Sequence, residues 1–242
     1  MALLLFIQIL NMSDRLSYFF LNSQGICSPP SCEEVRNSEL NGKPFILIPD
    51  NNVCTHVSDY SSSEQDRIKR AKAQHFLNYC RTSNITVLPD YGLLERASIP
   101  GTLQLNNTKF IDCKNKFWKR FGHNSQDNNI THIVEEIESL KSVLYPFYAY
   151  LLMIKMILIK RPSSRTNAKL NIQDLYEFTK EIGVNLILPW QFAIAVFGGY
   201  TELNTFIQPK KKQDIFQALW GAAWDLFYGY QLNTGHFAAS GF

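Results

Sequence analysis

Cysteines in pairs are what this sequence lacks first. Its five, Cys27, Cys32, Cys54, Cys80 and Cys113, are odd in number, widely spread and nowhere in C-x-x-C spacing. That argues against a disulfide framework and a zinc knuckle, and favours a reducing compartment such as the cytoplasm. The histidines His56, His75, His123, His132 and His236 show no H-E-x-x-H or other paired spacing, so no His-based mechanism is expected. No G-x-G-x-x-G or G-x-x-x-x-G-K surrounds Gly198-Gly199, which reads as a helix stop. Strong charge of one sign is missing too. A formal net charge of +3 permits contact with phosphates but falls short of the footprint of a dedicated nucleic-acid coat protein.

Long uninterrupted apolar runs are also scarce. Met1 to Leu10 is apolar, but no basic residue precedes it, no small-residue cleavage site follows, and it is too short to span a bilayer; Met12 is an alternative initiator. Val143 to Ile159 contains Pro146 and Lys155. A span needs roughly 20 apolar residues, and a charge near its middle costs about 3 kcal/mol, so a buried core helix is favoured over a membrane span. There is no internal repeat and no low-complexity tract.

What is there is apolar enough for a core: 45% of the 242 residues are hydrophobic and 13% aromatic, which suits one domain with insertions. Residues 1–43, rich in Ser, Asn, Gly and Pro, read as an irregular leader, so the domain is expected to begin at Pro44. Phe45 to Ile48, closed by Pro49-Asp50-Asn51-Asn52, has the continuous apolar character of a strand buried on both faces of a parallel sheet. Ser61 to Glu64 forms a capping-box pattern ahead of a helix carrying Ile68, Ala71, Phe76 and Tyr79. Asn84 to Leu88 reads as a strand, and Asp90 can open the next helix. Residues 100–130 read as a surface insertion. Thr131 to Ile159 is expected to be helical with a break near Pro146, and Leu170 to Ile182 helical up to Gly183. Val184 to Leu188 could be a short strand, followed by a helix to Gly198. From Lys211 to about Leu232 a wide apolar stripe predicts a mostly buried helix.

Three acids stand beside apolar sequence: Asp50, Glu95 and Asp225. A lone carboxylate in such a setting is expensive to bury unless it is paired, hydrogen-bonded or metal-bound. Simpler roles exist for two of them. Asp50 can cap a turn, and Glu95 can pair with Arg96 or face solvent. The run Lys114-Asn115-Lys116-Phe117-Trp118-Lys119-Arg120 interleaves cations with aromatics, which suits an RNA backbone and a stacked base, although most charge runs are only solvated faces. Lys210 to Lys212 is a weaker version of the same signal.

The strand-end D-x-N of Asp50 and Asn52, the strand-Pro segment leading to Glu95, and the A-A-x-D of Ala222 to Asp225 together resemble PIN-domain ribonucleases over residues 44–232. The resemblance implies a helix-rich, three-layer α/β/α fold with a short parallel sheet. It implies RNA phosphodiesters as substrate and Asp50, Glu95 and Asp225 as the catalytic acids that hold Mg²⁺ or Mn²⁺. Asn52 would hydrogen-bond near Asp50, and Lys114, Lys116, Trp118, Lys119 and Arg120 would contact the RNA. The pattern departs at its end: Gly235 to Phe242 contains no acid where a final strand and fourth ligand are usual, so reduced or lost activity is expected. The alternatives are a non-catalytic binding or regulatory remnant and, less favoured, membrane attachment through 143–159. A protein partner or homo-oligomer stays open.

Overall fold

The computed structural model describes residues 2–7, 19–22, 25–59, 66–102, 104–123, 131–208 and 214–234. The architecture is helix-rich α/β with a mixed sheet that includes a short parallel part. It divides into two compact units, one of residues 1–99, 104–130 and 231–242, the other of residues 100–103 and 131–230.

The first unit carries the sheet. Strands β1 (Ala2–Ile7), β2 (Phe19–Asn22) and β3 (Gly25–Cys27) precede helix α1 (Cys32–Leu40), and strand β4 (Phe45–Pro49) follows. Helices α2 (Asn51–Asp59) and α3 (Arg67–Ser83), strand β5 (Thr86–Val87), and helices α4 (Asp90–Ala97) and α5 (Asn107–Phe121) complete it. The strand order is β3-β2-β1-β4-β5, with β4 parallel to both its neighbours and β1-β2-β3 antiparallel. The expected strand at 45–48 is therefore present, and Ile46, Leu47 and Ile48 are all buried. Fully burying each such side chain contributes about 1.5–3 kcal/mol.

The described part of residues 1–43 holds β1, β2, β3 and α1 where the composition predicts an irregular leader. β1 pairs in register with β4, Leu3 beside Ile46 and Leu5 beside Ile48. α1 opens on a capping box in which Glu34 N–H donates to Ser31 Oγ at 3.2 Å and Ser31 N–H donates to Glu34 Oε2 at 2.7 Å. The insertion expected over 100–130 holds the ordered helix α5. Asn106 caps it by accepting from Lys109 N–H at 2.9 Å, and Phe110, Cys113 and Phe117 line its buried face. Buried α2 packs on α3, α4 and α5. Phe117 stacks near Phe76 and Phe121, with centroids 6.5 and 5.3 Å away. The capping pattern of Ser61 to Glu64, Lys210 to Lys212 and the stretch from Gly235 to Phe242 lie outside the described residues.

The second unit is helical. Helices α6 (Thr131–Lys160), α7 (Arg165–Ile182), α8 (Ile187–Phe197) and α9 (Thr201–Asn204), a 3-10 turn (Thr205–Ile207) and α10 (Ile215–Thr234) follow in order. α6 continues through Pro146. Its buried stripe, Leu140, Leu144, Phe147, Leu151 and Ile154, follows alternating four- and three-residue steps and keeps one face on the core. Arg161 ties the end of α6 to α7: its Nε donates to Asn171 Oδ1 at 3.0 Å, its Nη2 donates to the Leu170 carbonyl at 3.1 Å, and it pairs with Asp174.

No strand forms over 184–188. The Tyr150 hydroxyl donates to the Val184 carbonyl at 2.7 Å and accepts from Leu186 N–H at 3.3 Å, taking two of the groups a ladder would need. Pro189, which has no N–H to donate, then sits in the first turn of α8, where that loss is harmless. α10 starts at Asp214, whose carboxylate accepts from Gln217 N–H at 2.7 Å. It buries Leu219, Trp220, Ala223, Trp224, Phe227 and Tyr228, as its stripe predicts.

Candidate functional site

The carboxyl ends of the parallel strands in the first unit bring Asp50 and Glu95 to the same place. Asp50 follows β4 directly and is 3% exposed. Its Oδ1 accepts from Val53 N–H at 2.8 Å and its Oδ2 from the Asn52 amide at 3.1 Å, so it caps α2. The expected contact between Asn52 and the first acid is therefore present. Asn51, at the start of the same helix, donates to Glu95 Oε1 at 3.4 Å across to α4, while its own Oδ1 accepts from Thr55 at 3.2 Å.

Gly92 lets α4 come this close. A Cβ built there would lie 2.5 Å from the Pro49 carbonyl oxygen, 2.8 Å from the Asp50 carbonyl carbon and 2.8 Å from Cys54 Sγ. Cys54 lies at the centre, fully buried, with its thiol 3.7 Å from the carbonyl oxygens of both Pro49 and Pro89. Burial pushes this thiol well above its ordinary range. The negative charges of Asp50, Glu95 and Asp90 add to that rise, and Arg96 opposes it. The three acids therefore share one field, and the thiol stays protonated and inert.

Glu95 does not pair with Arg96. One helical step further on, Arg96 turns to Asp59 at the end of α2. Arg96, Asp59, Lys109, Asp112 and Lys116 line a shallow cleft of about 480 Å³ between α2, α4 and α5. Lys109 Nζ donates to the Arg96 carbonyl at 2.5 Å, and Lys116 pairs with Asp112 at 2.6 Å. No sequence signal announced this cleft, because its charges come from three helices without a local motif.

Asp225 belongs to the second unit. It is half-buried, whereas its neighbour Trp224 is fully buried. Successive helical residues turn by about 100°, so an acid can follow a core tryptophan without entering the core itself. The apolar flanks of Asp225 thus overstate its burial. Among the described residues no group of three or more His, Cys, Asp or Glu side chains is placed to hold a metal ion.

The cation-aromatic run is spread around α5. Phe117 is buried, and Trp118 is half-buried with its ring centroid 5.5 Å from those of both Phe117 and Phe121. Lys114 is 3.5 Å from Asp90, and the Arg120 carbonyl accepts from Arg81. Lys116 and Lys119 are the exposed cations of the run. Compared with known proteins, the chain matches no family model, and no curated protein and no solved structure is significantly similar to it.

Proposed function

We propose that this chain is a PIN-like domain of the metal-dependent endoribonuclease type that binds single-stranded RNA and turns it over very slowly or not at all. The observation that carries the proposal is the meeting of Asp50 and Glu95 where β4 ends and α2 and α4 begin to pack, with Asn51 and Asn52 bonded to the two acids. Ligand sites of open parallel sheets form at such carboxyl edges. Lys114, Lys116, Lys119 and Arg120 place cations on α5, which packs against α4.

The low turnover has its own support. Mg²⁺ prefers octahedral oxygen coordination and is commonly held by one or two carboxylates together with waters and substrate phosphates, so each carboxylate of a small set matters. Both Asp50 oxygens already accept from N–H donors, which leaves fewer lone pairs for an ion, and among the described residues no group of three or more His, Cys, Asp or Glu side chains is placed to hold one. So small a set would hold an ion weakly. The same facts favour the second reading, a binding domain without catalysis.

A labelled single-stranded RNA incubated with Mn²⁺, with and without EDTA, separates the two. We expect salt-sensitive binding and little cleavage, with any cleavage lost in Asp50→Asn, Glu95→Gln and Asp225→Asn. Robust cleavage abolished by EDTA and by Asp225→Asn would show a complete site and overturn the low-turnover claim. Neither binding nor cleavage would overturn the RNA reading.

A further inference from the structure

Between Glu138 and Asp174 the sequence has no acidic residue, yet it has six basic ones: Lys141, Lys155, Lys160, Arg161, Arg165 and Lys169. The same stretch contains Leu140–Lys160, a long apolar helix segment with mean hydropathy 1.7 of which only about a third is buried. The apolar residues outside the buried stripe sit together: Leu152, Met156 and Ile159 recur four and three residues apart, with Met156 63% and Ile159 73% exposed. Lys160, its side chain 69% exposed but 3.7 Å from the Asp174 carboxylate that also pairs with Arg161, ends this face, and exposed Arg165, Lys169 and Leu170 follow it on α7.

From this juxtaposition we infer that the outer face of the C-terminal half of α6, together with the start of α7, docks on an anionic lipid bilayer. Met156 and Ile159 enter the headgroup boundary, and the cations meet the lipid phosphates. Apolar side chains edged by Lys and Arg are what interfacial helices use, and each juxtamembrane cation near an anionic surface strengthens attachment. The contact is peripheral: the opposite stripe of α6 is packed in its own unit, and Lys155 stands within the apolar window. Charge decides against a second copy of the chain, since two such faces would bring cations against cations. It also separates lipid from RNA, because a phosphodiester backbone has no use for exposed aliphatic side chains at i, i+4 and i+7. This inference is independent of the RNA reading.

The test is co-sedimentation of the full chain with vesicles of phosphatidylcholine alone or of phosphatidylcholine with phosphatidylserine. We expect binding to the anionic vesicles at least tenfold stronger, falling as salt rises. Met156→Asp with Ile159→Asp should weaken it at least tenfold. Lys160→Gln and Lys169→Gln, both at exposed positions that leave the fold intact, should each weaken it about fivefold. Any one of four results overturns the inference: no binding to the anionic vesicles, equal binding to both kinds, binding unchanged by all four substitutions, or release from membranes by detergent alone. Self-association that Met156→Asp abolishes, without vesicle binding, would assign the face to a second copy instead. Displacement of a bound RNA by Lys160→Gln without vesicle binding would assign it to nucleic acid.

Discussion

Gly92 lies so close to Asp50 that a side chain at position 92 would stand 2.8 Å from the Asp50 carbonyl carbon. Helix α4 therefore packs directly on the end of β4 and on Cys54 of α2, with no room for a side chain at position 92. Gly92→Ala should gain up to about 1 kcal/mol of helix propensity and lose more to the clash, because two of the three nearest atoms are backbone, of Pro49 and Asp50, and cannot swing away. The expected net effect is destabilisation of about 1–3 kcal/mol, read from the midpoint of urea unfolding. An unchanged or raised midpoint would mean that the contact is looser than described.

His56 supplies a pH dependence. Burial, followed by the charges of Lys72 and Lys69, lowers its pKa to about 4, from about 6.5 in an unfolded chain. The folded state therefore binds its proton more weakly. The associated stability is fully present above pH 6.5 and is lost as pH falls from 6.5 towards 4; because the ring is only partly buried, solvent screening keeps the loss to about 1–2 kcal/mol. His56→Gln should flatten that slope. Lys72→Met removes one of the two charges and should raise the His56 pKa, measurable by NMR titration. A His56 that titrates at its ordinary value would refute the packing described between α2 and α3.

Asp50 acts as a helix cap whatever else it does. Asp50→Ala should cost about 1–2 kcal/mol, and Asp50→Asn much less, since the amide oxygen can still accept from Val53 N–H. Mn²⁺ should bind only weakly in calorimetry, and both Asp50→Asn and Glu95→Gln should abolish that binding. Tight binding that survives Asp50→Asn would place the ion elsewhere.

The sheet position of Asp50 was legible because Phe45 to Ile48 is a short apolar run closed by Pro49, and its length and flanking proline favour a buried strand over a buried helix segment. The gap at Asp90 was legible for a similar reason, with Pro89 ending one element and an acid starting the next. The leader was misread because Gly, Pro and Asn outweighed one capping box, Ser31 with Glu34, which sits beside Pro29-Pro30. The strand at 184–188 was misread because its β-branched and apolar residues say nothing about Tyr150, which is 34 residues away and takes the Val184 carbonyl. The cleft around Arg96 could not be read at all. Asp59, Arg96 and Asp112 meet through tertiary packing, and a helical acid or base does not encode its distant partner.

Trp118 and Lys119 are adjacent in sequence but should fail in different ways. Trp118 is half-buried among Phe117, Phe121 and His123, with its centroid 5.9 Å from the His123 ring, so part of its surface is committed to packing. Trp118→Ala should destabilise the fold by about 1–3 kcal/mol, below the full cost of emptying a core site because the residue is only partly enclosed. Lys119 is exposed, and Lys119→Gln should leave stability within about 0.5 kcal/mol. If α5 meets RNA phosphates, the same substitution should lower affinity for all sequences alike and reduce the slope of log affinity against log salt by about one. Paired urea-unfolding and filter-binding measurements on both variants decide the matter. A salt slope left unchanged by Lys119→Gln, together with a stability loss in Trp118→Ala, would make this face of α5 structural and move the RNA contact off it.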